Sequence, residues 1–147
     1  MLIAGTDGSE LSIAALRSGL ALLPADEEVL LVTVVEYGDP TLVSGTGMAG
    51  GVISEGEFEE LDQAQVTEAN TVLQSTAEAL GLAGAQTLVL RGDAARALCD
   101  LATERKARAI VLGTRGRGGV KRALLGSVSD HVVRNAPCPV VITRPPD

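Results

Sequence analysis

Ala109-Ile110-Val111-Leu112-Gly113-Thr114-Arg115-Gly116-Arg117-Gly118-Gly119-Val120-Lys121-Arg122-Ala123-Leu124-Leu125-Gly126-Ser127 is the stretch on which the reading of this chain turns. Its first six residues form an apolar run of strand length, its middle is rich in glycine, and a helix is expected to start at Ser127. A buried strand passing through a glycine turn into a helix is one βα unit, and the same alternation recurs outward in both directions. Five strands are expected, at residues 2–7, 29–36, 86–91, 109–114 and 139–144. After the first, Ile13, Leu16, Leu20 and Leu23 place one apolar stripe on a helix that Ser9 can cap. A second helix over about 56–80 carries Ala69, Val72, Leu73, Thr76 and Leu80 on one side. A third follows Asp93 with Leu98 and Leu101 inward, and the fourth runs from Ser127 to about Asn135, where Pro137 stops it.

Composition points the same way. The chain has 147 residues, 46% of them apolar, but only one Tyr, one Phe and no Trp, so its core must be built from Val, Leu, Ile and Ala. Those residues fill parallel sheets covered by helices on both faces, and the length suits one domain, spanning 1–147. No segment approaches the roughly twenty apolar residues of a membrane span. Met1-Leu2-Ile3-Ala4 runs into Asp7 without the charged region of an export signal, so a soluble, cytoplasmic protein is expected. Cys99 and Cys138 sit in different elements without metal-ligand spacing, and are expected to be two buried free thiols.

The formal net charge of −7 argues against nucleic-acid binding, yet it is unevenly spread. Residues 1–104 hold 3 basic and 17 acidic side chains, net −14, whereas residues 105–147 hold 9 and 2, net +7. An anionic ligand would be drawn to the C-terminal part, although a merely solvated basic face would look the same. The glycines favour the ligand, because they let backbone N–H groups approach an oxyanion beside a helix N-terminus. The resulting phosphate cradle is neither a P-loop, since no Gly-Lys-Ser/Thr occurs, nor the dinucleotide fingerprint, since Thr6-Asp7-Gly8-Ser9 follows the first strand. Ser127 with Asp130 also fits a capping-box variant. A left-handed turn is a further possible reason for glycine at 126. The stretch 38–54, with five glycines and no charge after Asp39, is expected to be a mobile loop, either a lid or an idle connection. Ser129-Asp130-His131 is not a catalytic triad, because successive helical residues point in different directions. Arg91-Gly92-Asp93 is expected to be a bend followed by a helix cap.

Gly113-x2-Gly116-x9-Gly126-Ser127 resembles the ATP-binding signature of the universal stress protein family, with its spacing intact. Residues 3–9, 30–35, Gly92-Asp93, 124–129 and 135–140 resemble that family's other characteristic runs, so the likeness covers essentially the whole chain. Thr33 departs from it, standing where many members have histidine, but the contact there is expected from backbone. The resemblance implies a three-layer Rossmann-like α/β fold of the nucleotide α-hydrolase type, with a five-stranded parallel sheet in the order 3-2-1-4-5. It implies that Asp7 and the Gly113 backbone hold the ribose, that Val34 offers main-chain groups to adenine, and that Thr6 is among the nucleotide-binding residues. The triphosphate would lie on Gly116, Gly126, Ser127 and Val128, with Arg117 nearby. ATP or another adenine nucleotide is the implied ligand, with Mg²⁺ carried on the phosphates and Asp7 able to assist. A homodimer through 139–143 and an unidentified protein partner complete the expectation. No general base stands out, so the chain reads as a regulatory stress-response protein and not as an enzyme. Two alternatives stay open: a dimeric scaffold of the same family without nucleotide, and a flavodoxin-like cofactor carrier, which one Tyr and one Phe poorly equip.

Overall fold

Leu2–Gly5 (β1) and Ala109–Gly113 (β4) lie side by side in the middle of a sheet, which explains why neither run shows the polar alternation of a strand with one wet face. The computed structural model describes residues 1–36, 55–114 and 125–145. Within them Glu10–Leu20 forms α1, Val29–Val35 β2, Glu55–Leu80 α2 and Gln86–Arg91 β3. Ala94–Glu104 forms α3, Ser127–Asn135 α4 and Val140–Thr143 β5. The strands run in the order β3-β2-β1-β4-β5, every neighbouring pair parallel. This is the expected Rossmann-like α/β sheet with helices on both faces.

Alternation along the strands divides the core in two. Ile3, Val32, Ile110 and Leu112 pack with Leu98 of α3 and Val132 of α4, while Ala4 and Val111 pack with Leu16 of α1 and Leu31 with Leu73 of α2. Accordingly α1 and α2 cover one face, and α3 and α4 the other. Helix α1 comes very close to the sheet at Gly19, where a Cβ would stand 2.7 Å from Val111 Cγ1. Larger residues there would push the layers apart.

Several expectations shift in detail. The ladders of β1, β2 and β4 stop at Gly5, Val35 and Gly113, so Asp7, Glu36 and Thr114 lie just past the strands, where the chain leaves the sheet. Ser127 is the first helical residue of α4 and not its cap. The cap is Gly126, extended at φ −73°, ψ 163°, without a side-chain cap bond. The Gly126 amide donates to the Thr114 carbonyl at 2.7 Å, which fixes that residue outside the helix, and the Asp130 amide donates to the Gly126 carbonyl. The capping-box variant therefore does not form; the Asp130 carboxylate pairs with Arg134. Of the two thiols, Cys99 is buried but Cys138 only half-buried, because it lies in the short connection between α4 and the edge strand β5. Gly92 does make a bend, at φ 106°, and Asp93 does cap α3, its Oδ1 accepting from the Arg96 amide at 2.8 Å. The loop expected at 38–54 lies outside the described residues, as do Gly116 and Arg117.

Candidate functional site

The chain leaves β1 into a helix on one face and leaves β4 toward a helix on the other, so a crevice must open between the carboxyl ends of these adjacent strands. A cleft of about 960 Å³ is found there, in the size range of small-molecule sites. Its floor is the ends of β1, β2 and β4; one wall is α2 with Gln65, Glu68, Ala69 and Val72, and the other is the start of α4.

On the β1 side, Asp7-Gly8-Ser9 forms a tight turn into α1. Asp7 Oδ1 accepts from the Ser9 amide at 2.9 Å and from Ser9 Oγ at 2.6 Å, and Ser9 Oγ in turn accepts the Ser12 amide at 3.2 Å, capping the helix. One carboxylate oxygen is thus oriented by the sequence that starts the helix. Gly8 sits at φ +76°, and a Cβ on it would be 2.4 Å from Val72 Cγ1, so only glycine fits between this turn and α2. Below the turn, Thr6 Oγ1 accepts the Gly8 amide at 3.0 Å and lies 3.1 Å from Ser12 Oγ.

On the opposite side, the first turn of α4 is tied to the end of β4. Gly126 N–H donates to the Thr114 carbonyl and Ser129 Oγ to the Gly113 carbonyl, each at 2.7 Å, while Thr114 N–H donates to Thr143 on β5. Among the described residues no carbonyl and no cap side chain accepts the amides of Ser127 and Val128. Both line the cleft. A fixed helix N-terminus with amides to spare suits an anionic oxygen.

Of the residues expected to form a site, Thr6, Asp7, Val34, Gly113, Gly126, Ser127 and Val128 all line this one cleft. Sequence reasoning missed Ser12, Gln65 and Glu68. Ser12 sits three residues after the cap serine on the inward side of α1, a faint signal, whereas nothing in the local pattern marks Gln65 or Glu68. The basic cluster is also distributed differently. Arg105, Lys106 and Arg108 follow α3 at the amino end of β4, away from the cleft, and Arg108 pairs with Glu27. Among the described residues the charged side chains lining the cleft are Asp7, Glu36 and Glu68. Among the described residues, local positive charge at the cleft comes from the amides at the start of α4.

An open parallel sheet with helices on both faces and a cleft at the switch between β1 and β4 defines a Rossmann-like α/β domain. The chain belongs to the universal stress protein family, whose pattern matches residues 1–144. It is 33% identical to universal stress protein MJ0531 of Methanocaldococcus jannaschii over 99% of this chain and 82% of that protein. It is 31% identical to universal stress protein YxiE of Bacillus subtilis over 98% and 97%. Among solved structures it superposes on hypothetical protein MJ0577 with a TM-score of 0.75 at 23% identity, covering 97% of this chain and 93% of that one. A universal stress protein in complex with cAMP gives a TM-score of 0.61 at 23% identity, covering 97% and 94%. One from Archaeoglobus fulgidus in complex with dAMP gives 0.57 at 17%, covering 97% and 95%. These structural likenesses concern the fold. Among the described residues no helix is long and apolar enough to cross a membrane.

Proposed function

We propose that the cleft binds an adenine nucleotide, ATP in the first place, and that the protein acts in the stress response through a nucleotide-dependent state read by a partner. One observation carries this reading: an oriented carboxylate at Asp7 and the spare amides of Ser127 and Val128 face one cleft from opposite sides of the switch point. Related proteins in complex with cAMP and dAMP support the adenine nucleotide. In this reading Asp7 and Gly113 hold the ribose, main-chain groups of Val34 meet adenine, and the phosphates lie on Gly126, Ser127 and Val128, extended by Gly116 and Arg117. The oxygen donor set suits Mg²⁺, which would be carried by the phosphates with Asp7 adding a carboxylate oxygen. We assign the chain no catalytic step; its task in this reading is to bind and to signal, in the cytoplasm.

We further propose a homodimer through β5, an edge strand of half-buried apolar residues. The carbonyls of Pro139 and Thr143 accept from β4, so by strand alternation the backbone groups of Val140 and Ile142 face outward. The scaffold reading is favoured by one observation, the acidic lining of the described cleft. Native mass spectrometry of freshly purified protein separates the possibilities. A retained adenine nucleotide on a dimer supports the first reading, a ligand-free dimer that takes up no added ATP supports the scaffold, and a retained flavin contradicts both.

A further inference from the structure

Two hydroxyls lie beneath the Asp7 turn and open on the cleft. Thr6 is 8% and Ser12 4% exposed, both line the cleft, and their oxygens are 3.1 Å apart with either able to donate. Thr6 Oγ1 also accepts the Gly8 amide. The pair owns two O–H donors, and one is used between them. If Ser12 donates, the Thr6 proton is left over; if Thr6 donates, the Ser12 proton is. Among the described residues no other group accepts from either hydroxyl. Ser18 on the same helix shows the usual outlet, donating to the Ala14 carbonyl one turn back at 3.2 Å, and Ser12 makes no such bond. One donor, buried to more than nine-tenths, therefore remains on the cleft floor, where burial without an acceptor is unfavourable.

The charge layout indicates which acceptor belongs there. Asp7, Glu36 and Glu68 line the cleft from β1, β2 and α2, and Thr6 and Ser12 share that flank. A phosphate oxygen not shared with a cation is disfavoured beside these carboxylates and is better placed across the cleft on the α4 amides. A neutral oxygen is suited to the acidic flank, and a sugar diol needs both an acceptor and a donor beside it. We propose that Thr6 and Ser12 act as one donor unit to a ribose hydroxyl whose neighbour is held by Asp7, so that the site selects ribonucleotide over one of the deoxyribonucleotides. This rests on the nucleotide reading above.

The test is equilibrium binding of ATP, 2′-deoxyATP and 3′-deoxyATP to the wild type, to Thr6→Val/Ser12→Ala and to Thr6→Ser. The wild type is expected to bind ATP about tenfold more tightly than one of the deoxy analogues, the worth of about one hydrogen bond. The double variant is expected to lose that factor for ATP but not for that analogue, bringing the ratio to about one, while Thr6→Ser keeps the wild-type ratio. Should the double variant fail to fold, Thr6→Val alone is expected to reduce the ratio by about threefold, by partial loss of the same donor. An unchanged ratio, or an equal loss for all three nucleotides, overturns the proposal, the second by showing that the pair acts only through the Asp7 turn. Wild type that binds all three equally overturns it too, whereas wild type that binds none at millimolar concentration removes the nucleotide reading itself.

Discussion

The Ser129 hydroxyl donates to the Gly113 carbonyl at 2.7 Å, joining the first turn of α4 to the last residue of β4. Ser129 is buried, so the bond is protected from water, and it fixes where the helix N-terminus stands relative to the sheet edge. Ser129→Ala is expected to leave that carbonyl without this partner and to cost about 1–2 kcal/mol of stability, read from urea unfolding. ATP affinity should fall with it, because the amides of Ser127 and Val128 lose their fixed position. Unchanged stability would show that the tie is incidental.

Gly126 and Gly8 are glycines for different reasons, and substitution separates them. Gly126 has φ −73°, which any residue adopts, so the expectation of a left-handed turn there does not hold and only space remains as an argument. Gly126→Val should therefore keep stability within about 1 kcal/mol of wild type, the usual size of an N-cap change, while abolishing ATP binding by filling the cleft beside the α4 amides. Gly8→Ala, at φ +76° and with Val72 Cγ1 2.4 Å from the new Cβ, should lower stability by about 2 kcal/mol or more. Thermal melts with and without ATP read both effects.

Acid should loosen the amino end of the sheet. The Arg108 guanidinium first, and then the N-terminal ammonium at 3.2 Å, hold the Glu27 carboxyl below its ordinary value of 4.5. The folded value lies below the unfolded one, so this stabilisation is complete above about pH 4.5 and is lost as pH falls through the folded value. Asp62, held down by Arg91, adds in the same sense. Glu27→Gln should make the acid limb of the stability profile shallower and leave the neutral region less stable than wild type. An acid limb as steep as that of wild type would contradict this.

Both thiols should be quiet in the folded protein. Burial pushes Cys99 up, with Asp100 adding to it, and burial pushes Cys138 up as well, so each is a neutral thiol at pH 7. Iodoacetamide is expected to label the native protein slowly and the urea-unfolded protein quickly at both positions. Native labelling as fast as that of the unfolded protein at both positions would contradict this.

How much of this could be read from the sequence varied with how local the cause was. The strand and helix order followed from apolar runs and helical periods, since Leu2-Ile3-Ala4 and Ile110-Val111-Leu112 are buried on both faces and leave no doubt about their kind. The turn residues Asp7, Gly92 and Asp93 were legible because they act on their own backbone. The α4 cap was placed one residue late, at Ser127 instead of Gly126, because the bond that decides it comes from Thr114 across a glycine segment. Ser12, Gln65 and Glu68 were missed because their relation to the site exists only once α1 and α2 are packed on the sheet. The basic cluster misled in part, because proximity along the chain placed Arg105, Lys106 and Arg108 with the glycines while the fold sends them to the other end of β4.

The most direct measurement is a calorimetric titration of ATP into protein stripped of bound nucleotide and supplied with Mg²⁺. Roughly micromolar affinity, about −8 kcal/mol, is expected, with a rise in melting temperature at saturation. Absence of both heat and thermal stabilisation at millimolar ATP would contradict it and leave the cleft to a different ligand or to none.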